Sequence, residues 1–389
     1  MALCRSRSPN WRGRLGEGVA KMPNWKCARP SSEFRILRAL LRRAIIVAAM
    51  LGGFTAYRDT LTIIGTPPTI HNYYVATTGS DANAGTQAAP FRTIKKAASV
   101  AKPSTTVHVA PGTYAETITS TVNGTASGRI RYVSDTKWGA KLVPAGAGAN
   151  TMWKVDGGYT DIDGFQVDGN GGTSVRQGIY LTGGNSTVKN SWVHHVALNS
   201  GCDGDGGAGM VADQGRGAAF NNYDFVGNLV HDIGGSCDTI QGIYHSSSGT
   251  VKNNIVYATN YGIHLYHDDH NVDVVNNTVF GNRWYGIVYG GCENAYNNGC
   301  PTSGVNIHNN IVYDNAGGIT GPNADEDTGK NSIKNNIVFG SRVYGDFELA
   351  PNAQSQVSGT ISANPQFFNY VRTRFACVSK GSINRACVP

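Results

Sequence analysis

The run Leu265-Tyr266-His267-Asp268-Asp269-His270 is the densest group of titratable side chains in the chain. Imidazole and phenol can exchange protons with a substrate near neutral pH, and carboxylates orient a base or hold a cation. The same run also suits a solvated polar turn, and the residues alone leave both readings open. Just upstream, Tyr244, His245 and His264 add two imidazoles and a phenol. The expected catalytic groups are therefore His264, His267 and Tyr244. Tyr180, His245, Tyr266 and Asp268 are the expected substrate contacts beside them, the tyrosines being suited to stacking on a sugar face. Arg216 can neutralise a carboxylate through paired hydrogen bonds, and Glu293 lies on a second loop that could border the same place. Asp203 and Asp205, at alternate positions of a Gly-rich loop, and Asp238 offer oxygen ligands suited to Ca2+. Asx-turn chemistry is the rival reading of that acidic corner. The fragment Asp203-Gly204-Asp205-Gly206 lacks the rest of an EF-hand loop.

These residues need a scaffold, and a repeat supplies it. The phrase Val188-Lys189-Asn190-Ser191-Trp192-Val193 recurs as Val226-Gly227-Asn228-Leu229-Val230 and Val251-Lys252-Asn253-Asn254-Ile255-Val256. It returns as Val274-Val275-Asn276-Asn277-Thr278-Val279, Ile307-His308-Asn309-Asn310-Ile311-Val312 and Ile333-Lys334-Asn335-Asn336-Ile337-Val338. A unit of roughly two dozen residues indicates a solenoid whose turns stack on one another. Val and Ile with period-two alternation, punctuated by Asn and Gly, make the unit β. Asn tolerates left-handed corners, and its amide can bond to its equivalents above and below. The predicted fold is all-β, a parallel β-helix.

A second series, Gly178-Ile179, Gly209-Met210, Gly242-Ile243, Gly262-Ile263, Gly286-Ile287 and Gly318-Ile319, opens one strand per coil. Alternation places these apolar residues in one interior column and sets Tyr180, Val211, Tyr244, His264, Val288 and Thr320 outside. Spacings between the two series predict tall loops near 213–222 and 290–304, with low ones at 246–249 and 267–271. Tall loops around low ones make a cleft floored by Tyr244 and His264. Lys189, Lys252 and Lys334 fall beside the corner Asn, away from that cleft. His194, His195, His231 and Asp232 read as satisfied structural groups.

The net charge of +7 belongs to the leader. Residues 1–58 carry 12 Lys and Arg against 2 Asp and Glu, leaving 21 basic and 24 acidic residues in the remainder. A nucleic-acid partner is disfavoured, since its electrostatic footprint requires a basic folded body. Arg35, Arg38, Arg42 and Arg43 precede the apolar run 44–54, as in a secretory signal or a short membrane anchor, with Met22 an alternative start. The expectation is a secreted or periplasmic monomer whose only membrane contact is that segment. Six cysteines follow the leader, which suits three disulfides. Cys202 and Cys237 fall in equivalent corners, and Cys292–Cys300 and Cys377–Cys387 read as local clips. The absence of any Cys-x-x-Cys pair disfavours zinc at these thiols.

The stretch from Tyr73 to Glu116 contains Tyr73-Tyr74-Val75, Gly79-Ser80-Asp81, Pro90-Phe91, Thr93-Ile94 and Pro111-Gly112-Thr113-Tyr114. This pattern resembles the N-terminal motif of right-handed parallel β-helix proteins of the pectate-lyase-like superfamily, including family 9 polysaccharide lyases. A short capping helix is expected near Thr93–Ala101, a β-helix over 72–370 and a C-terminal cap or tail over 371–389. The resemblance implies an acidic polysaccharide as substrate, β-elimination as reaction and Ca2+ as candidate cofactor. Glycoside hydrolysis and non-catalytic carbohydrate binding are the alternatives. In the family 9 lyases the base is a Lys beside a calcium-binding Asp cluster. No Lys lies between Lys189 and Lys252, so His264, His267 or Tyr244 would have to take that role.

Overall fold

A computed structural model describes residues 69–146, 148–170, 175–199, 206–213, 222–267, 269–291, 302–321, 330–349 and 353–367. Each coil contributes one strand to each of three parallel sheets, so that beyond the first two strands neighbours within a sheet are three strands apart in sequence. The first sheet has 11 strands and the second and third have 9 each. The chain is a parallel β-helix.

The Asn phrase is the corner joining the first sheet to the third. Strand Ser248–Lys252 ends, Asn253 and Asn254 turn the chain, and strand Ile255–Thr259 begins. The two positions of the corner divide the work. The first residue takes the left-handed conformation, with φ of 52° at Asn190, 57° at Asn253, Asn276 and Asn309, and 56° at Asn335. Gly227, at 69°, fills that place in the shortened copy. The second residue builds the ladder. Nδ2 of Asn228, Asn254 and Asn277 donates to Oδ1 of the next rung at 3.0 Å, and that of Asn310 at 2.9 Å. The same Oδ1 atoms accept the backbone N–H of the preceding rung. Each Nδ2 also donates to a carbonyl of the preceding coil, as Asn277 does to Val251 at 2.8 Å. All five amides are buried, and the four from Asn228 to Asn310 use both Nδ2 protons and Oδ1, so the column aligns coils at little desolvation cost.

Side-chain alternation fills the interior. In the second sheet Ile179, Met210, Ile243, Ile263, Ile287 and Ile319 pair in unbroken register. All six are completely buried, each burial contributing roughly 1.5–3 kcal/mol. Val193, Val230, Val256, Val279, Val312 and Val338 form the matching column of the third sheet. The glycines before the isoleucines are there for space. A Cβ on Gly262 would sit 2.4 Å from Val279 Cγ1 and 2.5 Å from the Gly286 carbonyl.

The N-terminal helix, α1, spans Ile94–Val100 and buries Ile94, Ala97 and Ala98. Thr93 caps it by accepting from Lys96 N at 3.0 Å. Glu116 accepts the amides of Ile94 and Lys95, at 3.0 and 2.9 Å, while Asp81 accepts those of Arg92 and Thr93 at 2.9 Å. Two acids of the N-terminal motif thus satisfy the helix entry, where donors would otherwise be orphaned.

The leader 1–58, with its apolar run, and the tail 371–389 lie outside the described residues. Among those described, no helix is long and apolar enough to cross a membrane. Cys237 is buried; Cys202, Cys292, Cys300, Cys377 and Cys387 lie outside the described residues.

Candidate functional site

The outer face of the second sheet carries the column Lys154, Tyr180, Val211, Tyr244, His264, Val288 and Thr320 in successive register. A groove of about 540 Å³ lies over its middle. Tyr180, Tyr244, Tyr261, Tyr266, His264 and His267 give it an aromatic lining, joined by the amides of Asn150, Gln177 and Gln241 and by Asp213 and Asp238. No Lys or Arg lines it among the described residues.

The low loop after strand Ile263–Leu265 brings one imidazole back over the floor. His267 has φ of 66°, and its N–H donates to the Gly291 carbonyl at 3.0 Å. This left-handed bend turns the chain so that His267 Nδ1 lies 2.6 Å from Tyr244 Oη, one coil below. Burial, reinforced by the Asp213 carboxylate, pushes the Tyr244 phenol far above its usual range, against a smaller opposing effect of Ser246. Tyr244 is therefore a proton donor, not a standing phenolate.

His264 sits at the centre of an aromatic nest. Its ring stacks on Tyr261 at 5.2 Å and 26°, leans on Tyr266 at 4.8 Å, and meets Tyr244 edge-on at 5.9 Å. Burial lowers its pKa to about 3, with His267 adding to the effect. Its Nδ1 is shielded and makes no hydrogen bond. Surface area leaves the residue as a whole only partly covered, so the ring is neutral and presents an edge to the groove while its body is enclosed.

Burial in the groove also raises Tyr180, to about 12, with Asp213 and Asp156 contributing. Tyr266 and His267 pack at 4.3 Å. Asp238 is not a vacant cation ligand: Arg283 Nη1 lies 2.9 Å and Trp284 Nε1 3.1 Å from its Oδ1. The expected calcium corner thus loses one carboxylate oxygen to a neighbouring cation. Its other members, Asp203 and Asp205, lie outside the described residues, as do Arg216, Asp268 and Glu293.

His245 requires a correction. Expected at the groove floor, it is completely buried inside the coil, paired in register with Leu265 and within 3.2 Å of the Tyr223 carbonyl through Nε2. Alternation sends the residue after an outward Tyr244 inward, whatever its polarity. Asp269, part of the same titratable run, is likewise completely buried. Burial lowers the His245 pKa to about 4. A base whose folded pKa lies below its unfolded value near 6.5 favours folding above that value and loses the contribution as pH falls toward 4. Acidification through this window is expected to remove roughly 3 kcal/mol. His245→Leu, matching its partner in the column, should flatten the pH dependence of chemical denaturation between about 6.5 and 4.

Tyr261 and Asp213 are groove residues that the sequence reading passed over. Tyr261 belongs to an external stack with Tyr285, at 6.5 Å, and Tyr285 with Tyr344, at 5.2 Å. The available signal was Tyr immediately before the strand-opening Gly, at Tyr261-Gly262, Tyr285-Gly286 and Tyr344-Gly345.

Residues 77–122 match a protein family of unknown function, DUF1565, and residues 156–300 match the family described as a right handed beta helix region. Among solved structures the chain is similar to pectate lyase Pel9A, at 19% identity and TM-score 0.52, covering 76% of this chain and 79% of that one. It is also similar to a rhamnogalacturonan lyase, at 16% identity and TM-score 0.50, covering 76% and 85%. A GH136 lacto-N-biosidase from Eubacterium ramulus aligns at 12% identity and TM-score 0.48, covering 75% and 67%. No curated protein sequence matches the chain significantly. At such identities the likeness establishes the fold, a right-handed parallel β-helix.

Proposed function

We propose that this chain is a polysaccharide-active enzyme that cleaves a uronate-containing glycan by β-elimination, with His267 as base and Tyr244 as acid. The observation that carries this reading is the 2.6 Å contact between Tyr244 Oη and His267 Nδ1 on the floor of a groove rich in tyrosine. In the tautomer with the proton on Nδ1, His267 donates to the phenol oxygen and leaves Nε2 unprotonated. Nε2 takes the proton from C5 of the uronate, the C5–H electron pair forms the new C4–C5 double bond, and the C4–O bond breaks. Tyr244 gives its O–H proton to the departing oxygen and recovers one from His267 Nδ1, leaving the imidazole neutral with its proton on Nε2. Amide donors at Asn150, Gln177 and Gln241 are positioned to meet charge that builds on the uronate carboxyl group. Arg216, three residues after Asp213 in sequence, is a further candidate for that role. Asp238 is engaged by Arg283, and no step is routed through calcium.

The likeness to a pectate lyase and a rhamnogalacturonan lyase supports this reading at the level of fold. A second reading, glycoside hydrolysis, draws on the presence of two carboxylates, Asp213 and Asp238, in the groove. The products separate them. Incubation with pectate, alginate and glucuronan should give the ultraviolet absorbance of an unsaturated uronate. New reducing ends without that absorbance mean hydrolysis. Binding without either signal means a carbohydrate-binding solenoid, and sinks both enzymatic readings.

A further inference from the structure

The third sheet carries a separate cluster on its outer face. Strands Gln166–Asp168 and Trp192–Val196 lie side by side, with Asp168 paired to His194. The next residue, His195, would ordinarily point inward. Its left-handed φ of 54° breaks the alternation, and two consecutive histidines share the outer face. Their Nδ1 atoms are 2.8 Å apart. Asp168 Oδ1 lies 3.2 Å from the first of these on His195 and 3.6 Å from that on His194.

We propose that Asp168, His194 and His195 form a binding site for a divalent transition-metal ion, with Zn2+ as the reference ion. All three ligand atoms lie within 4.8 Å of one another. A tetrahedral centre with bonds of about 2.0–2.2 Å holds its ligands about 3.3 Å apart, which the three observed separations bracket. Two imidazoles and one carboxylate suit Zn2+, Ni2+ or Cu2+, not the all-oxygen preference of calcium.

The surroundings hold the ligands in place. Trp192 stacks on His194 at 4.3 Å and His231 at 5.4 Å, and the Trp192 indole N–H donates to His231 Nε2 at 2.7 Å. The Gln166 amide nitrogen, Nε2, lies 2.9 Å from His194 Nε2, so coordination through Nδ1 requires this amide to rotate and present its oxygen instead. With its oxygen turned to the ring, that amide fixes the N–H on Nε2 and leaves Nδ1 for the ion. Lys141 Nζ holds Asp168 Oδ2 at 2.6 Å, orienting the carboxylate so that Oδ1 faces the histidines. The Asn170 N–H also donates to Oδ1, at 2.8 Å. His194 is nearly enclosed, whereas the His195 side chain is 44% exposed, which opens a path for the ion and a fourth position for water. Because Asp168 and the histidines sit on adjacent coils, a bound ion would pin one coil to the next. The site is on a different sheet from the groove and stands independently of the proposed activity.

The test is Zn2+ titration of tag-free protein by calorimetry, with Co2+ as a spectroscopic probe. One equivalent should bind at micromolar concentration or below, raise the thermal midpoint, and with Co2+ give the visible bands of a tetrahedral centre. His195→Ala should weaken binding at least tenfold, and Asp168→Asn should do the same. Alanine is tolerated in this backbone conformation, since Ala258 adopts φ of 52° in the same sheet. Circular dichroism of the His195→Ala protein will show the fold intact. Absence of a micromolar equivalent in the parent, or parent-like affinity in His195→Ala, overturns the proposal. In that case the three side chains are only a hydrogen-bonded patch.

Discussion

Tyr244→Phe is expected to lower turnover on a susceptible polyuronate by about 10²–10⁴, with little change in KM. The ring stays, so packing against His264 survives, and only the proton donor is removed. His267→Gln should cost a similar factor. The Tyr244→Phe/His267→Gln double variant should be no slower than the worse single one, because the pair acts as a unit through its 2.6 Å contact. His264→Gln tests the competing assignment. With a pKa held near 3, the neutral His264 ring is a poor proton acceptor at neutral pH, so its loss should be felt mainly in KM. Turnover falling more in His264→Gln than in His267→Gln would place the base on the floor strand and sink the dyad. Burial keeps Tyr244 protonated throughout the neutral range, so any mild alkaline loss of activity must originate in another group.

Asn277→Ala is expected to destabilise the chain by roughly 3–5 kcal/mol, as read from the midpoint of chemical denaturation at unchanged slope. Removing this amide leaves the Val251 carbonyl and the Asn254 N–H buried without their partners. It also cuts the bonds to Asn254 and Asn310 on either side. The neighbour, Asn276, has the same side chain and a different job. It is exposed and occupies the left-handed corner at φ 57°. Asn276→Gly should therefore stay within about 1 kcal/mol of the parent, since glycine adopts that conformation freely. Equal costs at the two positions would refute the division of labour in the Asn pair.

The scaffold was legible because it repeats. Six spaced copies average out local noise, and the column from Ile179 to Ile319 is the one that alternation required. The groove was legible to the extent that it inherits this register, as at Tyr180, Tyr244 and His264. His245 shows where chemical suggestiveness misled: the rule that set Tyr244 outside also set His245 inside, and a polar side chain does not suspend it. The Tyr244–His267 contact was beyond reach, because it depends on a single left-handed residue in a non-repeating loop. The Asp168–His194–His195 cluster was hidden for the same reason. Its histidines were read as structural, and only the φ of 54° at His195 reveals that both rings share a face.

The Asn column has a direction. Every rung from Asn228 to Asn310 hands its backbone amide proton to the next amide oxygen toward the C-terminus, and the last, Asn336, meets the Thr360 hydroxyl through its backbone N–H at 3.4 Å in place of another amide. Among the described residues the column therefore closes on a hydroxyl, and losing the Asn336 amide should cost the fold less than losing an interior rung such as Asn277.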